Sequence, residues 1–92
     1  MSAFVIVHGV PKDNDKLKAY SQAAAPTFAA FGGEIVGKGK PEILTGTHSD
    51  TLVAVIAFPD ANSARGWYAS PDYQALIAKR DDAMACTFIL CG

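Results

Sequence analysis

Two apolar segments constrain the fold of this chain more than any other feature of its sequence. Ala3–His8 is a continuous run of β-branched and aromatic side chains that ends before Gly9. Thr51–Phe58 has no polar residue beyond its first. A strand with one wet face alternates apolar and polar residues, and these runs do not, so both predict strands buried on both faces. The fold must therefore cover both sides of a central sheet.

A long helix is predicted between the first strand and residue 33. Asp13–Asp15 offers N-cap oxygens, and Gly32 and Gly33 supply a residue that tolerates positive φ at the other end. The apolar residues between them recur at helical spacing: Leu17, Tyr20, Ala24, Phe28 and Phe31. Pro26 lacks an N–H inside this stretch, so we expect a kink or a restart of the helix there.

The remaining segments complete a βαββαβ order. A second strand is expected in two pieces, Glu34–Lys38 and Glu42–Leu44, with a bend or bulge between them. A short helix then opens at Pro59–Asp60, and Ser70 with Pro71 gives the N-cap and N1 of another. Its stripe comprises Tyr73, Leu76, Ile77, Arg80 and Met84, and a last strand is expected over Thr87–Cys91.

This order is that of the ferredoxin-like α+β fold, with a four-stranded antiparallel sheet and helices on one face. The 92 residues, of which 50% are hydrophobic and 18% charged, fit a single domain over 1–92. The helices cover only one face of a sheet that is apolar on both. We therefore expect the open sheet face to pair with the same face of a second copy, as an isologous homodimer.

Composition argues against several classes of partner. Eight basic and nine acidic residues are spread along the chain, without the basic cluster that binds nucleic acid. The N-terminal apolar run is too short to span a bilayer and lacks a basic leader, so no membrane partner and a cytoplasmic location are expected. Cys86 and Cys91, about 16 Å apart along an extended strand, are too distant for a disulfide.

No cofactor or metal is expected from the motifs. Gly37–Lys40 is glycine-rich and basic, but it does not open a helix as a phosphate-binding loop does. His8 and His48 are forty residues apart, without the short spacing of paired metal ligands. No nucleophile elbow is present.

Arg80 and His8 are the candidate catalytic residues. Arg80 falls inside the apolar stripe facing the sheet, where a guanidinium requires a carboxylate or an anionic ligand. It either anchors a substrate carboxylate or enolate, or has a structural role, in which it extends its guanidinium to solvent or forms an ion pair with Glu34 or Glu42. His8 ends a strand at the rim of an apolar layer, either as a general base or as a satisfied edge histidine. Candidate pocket walls, which are core residues in the alternative reading, are Tyr20, Trp67, Tyr68 and Tyr73.

Three segments resemble a known bacterial family. Ala25–Gly33, Phe58–Asp60 leading to Ala64, and Tyr68–Leu76 followed by Arg80 resemble the family called domain of unknown function 1330. That family is similar to the dimeric α+β barrel group, in which two ferredoxin-like sheets pack face to face. The group includes cofactor-free monooxygenases, isomerases, haem-degrading enzymes and stress-response proteins, so the fold alone does not fix the function.

The family pattern also carries over to single positions. The family pattern includes Thr27 together with Tyr68, Tyr73 and Arg80, and it implies that Thr27 takes part in substrate binding. The sequence departs from the family at Thr47–Asp50, where relatives have a Trp-containing turn, and at Ala57, where they tend to have a carboxylate.

The leading hypothesis is a homodimer that binds a small organic or anionic molecule between sheet and helices, as a cofactor-independent oxygenase or isomerase. The alternative is a non-catalytic regulatory or assembly module. Haem binding would require His8 or His48 to project into the pocket.

Overall fold

A computed structural model describes residues 2–92 and shows a ferredoxin-like α+β fold. The strands are β1 (Ala3–Pro11), β2 (Glu34–Gly39), β3 (Leu52–Phe58) and β4 (Met84–Cys91). The helices are α1 (Asn14–Ala29), α2 (Ala61–Ala69), α3 (Pro71–Gln74) and α4 (Ile77–Ala83). The antiparallel sheet has the order β2-β3-β1-β4, so the predicted βαββαβ order and fold class are confirmed.

Alternation along β1 assigns a role to each face of the sheet. Ala3, Val5 and Val7 are buried under the helices, whereas Phe4 is 37% exposed and lies on the other side. β4 alternates in register, with Val7 opposite Phe88 and Ile6 opposite Ile89. The face that carries Phe4, Ile6 and Ile89 is called the open face below.

Asp and Ser side chains set the starts of three helices. Asp13 accepts a hydrogen bond from the N–H of Lys16, and Asp60 accepts one from Ser63. Ser70 caps α3 and accepts from the N–H of Tyr73. Each cap satisfies a donor that would otherwise have no partner in the first helical turn. α1 continues through Pro26 as one helix.

Several predicted boundaries were wrong: β1 extends to Pro11 and not only to His8, β4 begins at Met84 and not at Thr87, and the helix predicted after Ser70 is divided into α3 and α4. The second piece of the second strand, residues 42–44, is not a strand: β2 ends at Gly39, before Pro41, which has no N–H for the ladder. The irregularity in β2 falls earlier, between Ile35 and Gly37. Met84 belongs to β4 and not to the last helix. It pairs with Pro11, and the helix ends at Ala83, with the N–H of Met84 donating to the carbonyl of Arg80.

None of the helices in the described part of the chain, residues 2–92, is long and apolar enough to cross a bilayer.

Substitution of Gly9 tests the close approach of β1 to β4. A Cβ on Gly9 would lie 2.9 Å from Cα of Cys86 and closer still to the carbonyl oxygen of Ala85. We expect Gly9→Ala to destabilise the fold by about 1–3 kcal/mol, because backbone must shift to admit the methyl group. Urea unfolding at fixed protein concentration measures the change.

Gly37→Ala is the matched control, because nothing lies within 4 Å of a Cβ at Gly37. It should leave stability unchanged or raise it by up to about 1 kcal/mol. Equal stabilities for the two variants would contradict the close approach.

Candidate functional site

Arg80 lies between the helices and β4, where three elements hold its guanidinium. Its side chain is only 12% exposed. Nη1 donates to the hydroxyl of Tyr68 at 3.1 Å and to that of Tyr73 at 3.2 Å. Its Cζ lies 5.0 Å from the centre of the Phe88 ring, a cation–π contact. The guanidinium is thus fixed by neutral partners on α2, α3 and β4.

The ion pair between Arg80 and its carboxylate partner is weak. Nε donates to Asp81 at 3.1 Å, but the Asp81 side chain is 60% exposed, and water screens such a pair. Glu34 and Glu42, the partners expected from sequence in the alternative reading, do not contact Arg80. Nη2 of Arg80 donates to none of the described residues, and this atom keeps access to solvent.

Tyr73 connects Arg80 to Tyr20 through a buried hydroxyl pair. The two tyrosine oxygens are 2.8 Å apart, and either can donate. Burial raises the pKa of Tyr20, and the bond to Tyr73 raises it further. Burial also raises the pKa of Tyr73, against smaller opposite effects of Tyr20 and Arg80. Both phenols are therefore neutral at physiological pH.

The charge of Arg80 is secure in this setting. Burial lowers the pKa of Arg80, but its interactions with Tyr68, Tyr73 and Asp81 together raise it by more, so the net shift is upward. The same charge lowers the pKa of nearby Cys86, although burial outweighs it and the net pKa of that thiol is raised. The site therefore contains a permanent cation and a protonated thiol.

A cavity of about 490 Å³ lies beside Arg80 and is called the Arg80 cavity below. Its walls are Val5, Ala64, Arg65, Trp67, Tyr68, Ala69, Arg80, Cys86, Phe88 and Leu90. The described residues that line this cavity include two arginines, Arg65 and Arg80, but no aspartate or glutamate. The cavity is thus apolar with a positive charge.

Trp67 forms the inner wall and is held in one orientation. The ring is 1% exposed and lies 4.4 Å from Tyr73 and 5.5 Å from Phe58, centre to centre. Its Nε1 donates to Oγ1 of Thr27 at 3.0 Å, and Thr27 donates in turn to the carbonyl of Ala24 at 2.6 Å. Thr27 therefore positions Trp67 and does not line the cavity.

Tyr20 lies on the far side of Tyr73, in the wall of a second, smaller cavity of about 70 Å³. Tyr73 is fully buried behind Arg80. Of the aromatic residues predicted as walls, the structure places Trp67 and Tyr68 in the lining and puts Tyr73 and Tyr20 in a layer behind them.

His8 lies on the open face, so the expected pairing of His8 and Arg80 in one pocket must be corrected. Alternation along β1 puts His8 beside Ile6 and opposite Thr87, with the sheet between it and the Arg80 cavity. Its Nδ1 is 2.5 Å from Oδ2 of Asp50. The ring of His48 lies 5.2 Å from that of His8, on the same side of the sheet. Neither histidine therefore projects into the Arg80 cavity.

Sequence reasoning missed several lining residues. Cys86, Phe88 and Leu90 alternate along β4, and this period of two was available as a signal. Arg65 precedes Tyr68 by three residues on α2, a spacing that places both on one side of a helix. No spacing in the sequence joins His8 to His48 and Asp50, which meet through the fold.

Solved structures share the fold at low identity. A protein of unknown function from Rhodopseudomonas palustris matches with a TM-score of 0.79 and 16% identity, over 97% of this chain and 79% of that one. SnoaB, a cofactor-independent oxygenase from Streptomyces nogalater, matches with a TM-score of 0.68 and 13% identity, over 99% and 91%. A dimeric ferredoxin-like protein of unknown function from Thermobifida fusca matches with a TM-score of 0.63 and 17% identity, over 98% and 89%.

Among curated proteins, none matches the sequence. The family model described as Domain of unknown function (DUF1330) matches residues 2–92. The resemblance seen in the sequence is confirmed, and the chain belongs to this family.

Proposed function

We propose that this protein is a homodimer that binds a small organic anion in the Arg80 cavity of each subunit. The observation that carries the proposal is the guanidinium of Arg80, nearly buried at a cavity wall and held by two neutral hydroxyls. A charge removed from water needs a compensating charge, and the exposed Asp81 supplies little. An anionic group that accepts hydrogen bonds from the two N–H groups of Nη2 would complete the site.

The walls of the cavity favour an organic body behind that anionic group. Phe88 and Leu90 give apolar surface, with the buried ring of Trp67 behind it, and the volume of about 490 Å³ is within the usual range for small-molecule sites. Arg65 adds a second cation to the lining. A ring or short chain with one carboxylate or enolate matches this arrangement.

An enzymatic role as a cofactor-independent oxygenase or isomerase extends the proposal. SnoaB, with the same fold, is a cofactor-independent oxygenase. Arg80 and the Tyr68 hydroxyl would stabilise negative charge that develops on a substrate oxygen, as in an enolate. The pKa values of the Cys86 thiol and the Tyr73 phenol are raised by burial, so both groups stay protonated and cannot accept a proton from the substrate. The substrate would therefore have to be acidic enough to ionise without a strong base.

A non-catalytic regulatory module is the second candidate, and one observation favours it. Among the described residues that line the Arg80 cavity, none is a histidine or a carboxylate that could move a proton. Ligand binding without chemistry would suit such a cavity. The two candidates share the anion site and differ in whether a bound ligand is converted.

The open face supports the homodimer. Val55, Ile6 and Ile89 form one row across β3, β1 and β4, and Ile89 is 47% exposed in the single chain. Apolar surface of this kind on a sheet is covered in stable proteins. A second copy offers the same flat surface, and the Thermobifida fusca protein of the same fold is dimeric.

Trp67 is the single tryptophan of the chain and lines the Arg80 cavity, so its fluorescence reports occupancy. We expect cyclohexanecarboxylate to change the Trp67 emission and the uncharged cyclohexanecarboxamide to bind far more weakly. Arg80→Gln should weaken carboxylate binding by about ten-fold or more, because a charge-assisted hydrogen bond is lost. Arg80→Lys should recover part of the affinity.

Lys79→Gln is the control for this titration, since it removes an exposed positive charge from the same helix. It should bind the carboxylate as the unaltered chain does. Equal binding of acid and amide, or equal loss in the Lys79 and Arg80 variants, would argue against a specific anion site.

Ile89→Lys tests the homodimer. A lysine at the β4 end of the apolar row of Val55, Ile6 and Ile89 would leave a charge without a partner in the proposed interface, so sedimentation velocity should show monomers. Leu44→Lys is the control, because Leu44 is 89% exposed and lies outside the sheet. A monomeric unaltered chain, or a dimer that survives Ile89→Lys, would contradict pairing through the open face.

A further inference from the structure

A second cluster of polar side chains lies on the open face, away from the Arg80 cavity. His8 on β1 meets His48 and Asp50, which lie on the segment before β3. This segment is tied to the sheet by a hydrogen bond from the N–H of Thr51 to the carbonyl of Gly9. The side chains are partly exposed, at 24% for His8, 32% for His48 and 25% for Asp50. In the single chain, an ion can therefore reach them from solvent.

The geometry converges on one oxygen atom. Oδ2 of Asp50 lies 2.5 Å from Nδ1 of His8 and 3.8 Å from Nε2 of His48. One ligand atom from each of the three residues lies within 4.8 Å of the other two. A hydrogen bond between His8 and Asp50 would suffice to hold the segment on the sheet. The approach of a second imidazole to the same carboxylate oxygen is the additional feature that indicates a shared ligand.

We propose that His8, His48 and Asp50 form a binding site for a divalent transition metal, with Zn²⁺ as the ion that fits best. Two imidazoles and one carboxylate are a common zinc ligand set, with bonds of about 2.0–2.2 Å. In a tetrahedral site this gives ligand atoms about 3.3 Å apart, so the present spacings need shifts on the order of 1 Å. Zn²⁺ would displace the proton that His8 and Asp50 otherwise share.

The set of ligands also determines which ions are disfavoured. Mg²⁺ prefers oxygen ligands and retains its water, so two imidazoles select against it. Three protein ligands leave one tetrahedral position for water, as in zinc sites that are not purely structural. All three ligands belong to one chain, so the ligand set is complete without a second copy and does not involve the Arg80 cavity.

Isothermal titration calorimetry of the full chain with Zn²⁺ tests the site. We expect one ion per chain, with an affinity well above that for Mg²⁺. Each of His8→Gln, His48→Gln and Asp50→Asn should weaken binding by at least about ten-fold, since even loss of an outer-shell partner costs that much. Because the chain has only two histidines, the imidazole NMR signals should identify both as ligands.

Two control variants separate this site from adventitious binding. Glu42→Gln removes an exposed carboxylate from the same segment, and Cys91→Ser removes the exposed thiol. Both should keep the full affinity. Thermal melts without metal confirm that each variant is folded, and Zn²⁺ should raise the melting temperature only where the three ligands remain.

The proposal is overturned if Zn²⁺ binds no more tightly than Mg²⁺, or if any of the three ligand variants keeps full affinity. It is also overturned if Cys91→Ser abolishes binding, which would place the ion at a thiol, or if the stoichiometry is one ion per two chains.

Discussion

The structure depends on the burial of one side chain, Trp67. Its ring packs against Phe58 and Tyr73, and its Nε1 is hydrogen-bonded to Thr27 on α1. This single residue therefore joins the sheet, α1 and the α2–α3 segment. A buried aromatic with its polar atom satisfied contributes both apolar area and a fixed orientation. The position of Tyr73, and through it that of Arg80, follows from this packing.

The site under the helices is unusual in its charges. Arg80 is stabilised by hydroxyls and by an aromatic ring, which accept hydrogen bonds or attract a cation without neutralising it. A structural ion pair would have used a buried carboxylate, whereas Asp81, the one carboxylate among residues 2–92 that pairs with Arg80, is 60% exposed. This difference is the basis on which we propose that Arg80 binds an anionic ligand.

The fold could be predicted from sequence because its main signals are local. The unbroken apolar runs over Ala3–His8 and Thr51–Phe58 predict central strands, and Ser70 with Pro71 marks a helix start; the structure has each element. The boundary errors at residues 42–44 and at Met84 arose where partner strands, and not local preference, decide where a strand begins or ends. The apolar stripe also predicted that Arg80 faces the sheet.

The site was less accessible to sequence reasoning, because side chains far apart in the chain create it. The expected pairing of His8 with Arg80 treated the end of β1 as a rim, whereas the alternation of Val7 and His8 puts them on opposite faces. The convergence of His8 with His48 and Asp50 depends on the path of residues 40–51, which has no periodic pattern to read. Thr27 was assigned through the family pattern, and its hydroxyl is committed to Trp67 and Ala24.

The alternation in β1 has a consequence for how this sheet tolerates change. Neighbouring residues of one strand serve two separate surfaces, since Val5 and Val7 face the helices and Ile6 and His8 face outward. The residues of one surface can therefore be substituted with little effect on the other surface. Insertion or deletion of one residue within the strand is different, because it exchanges the two surfaces at once. Point substitutions can thus alter the two faces of this strand separately, but a change in its length alters both together.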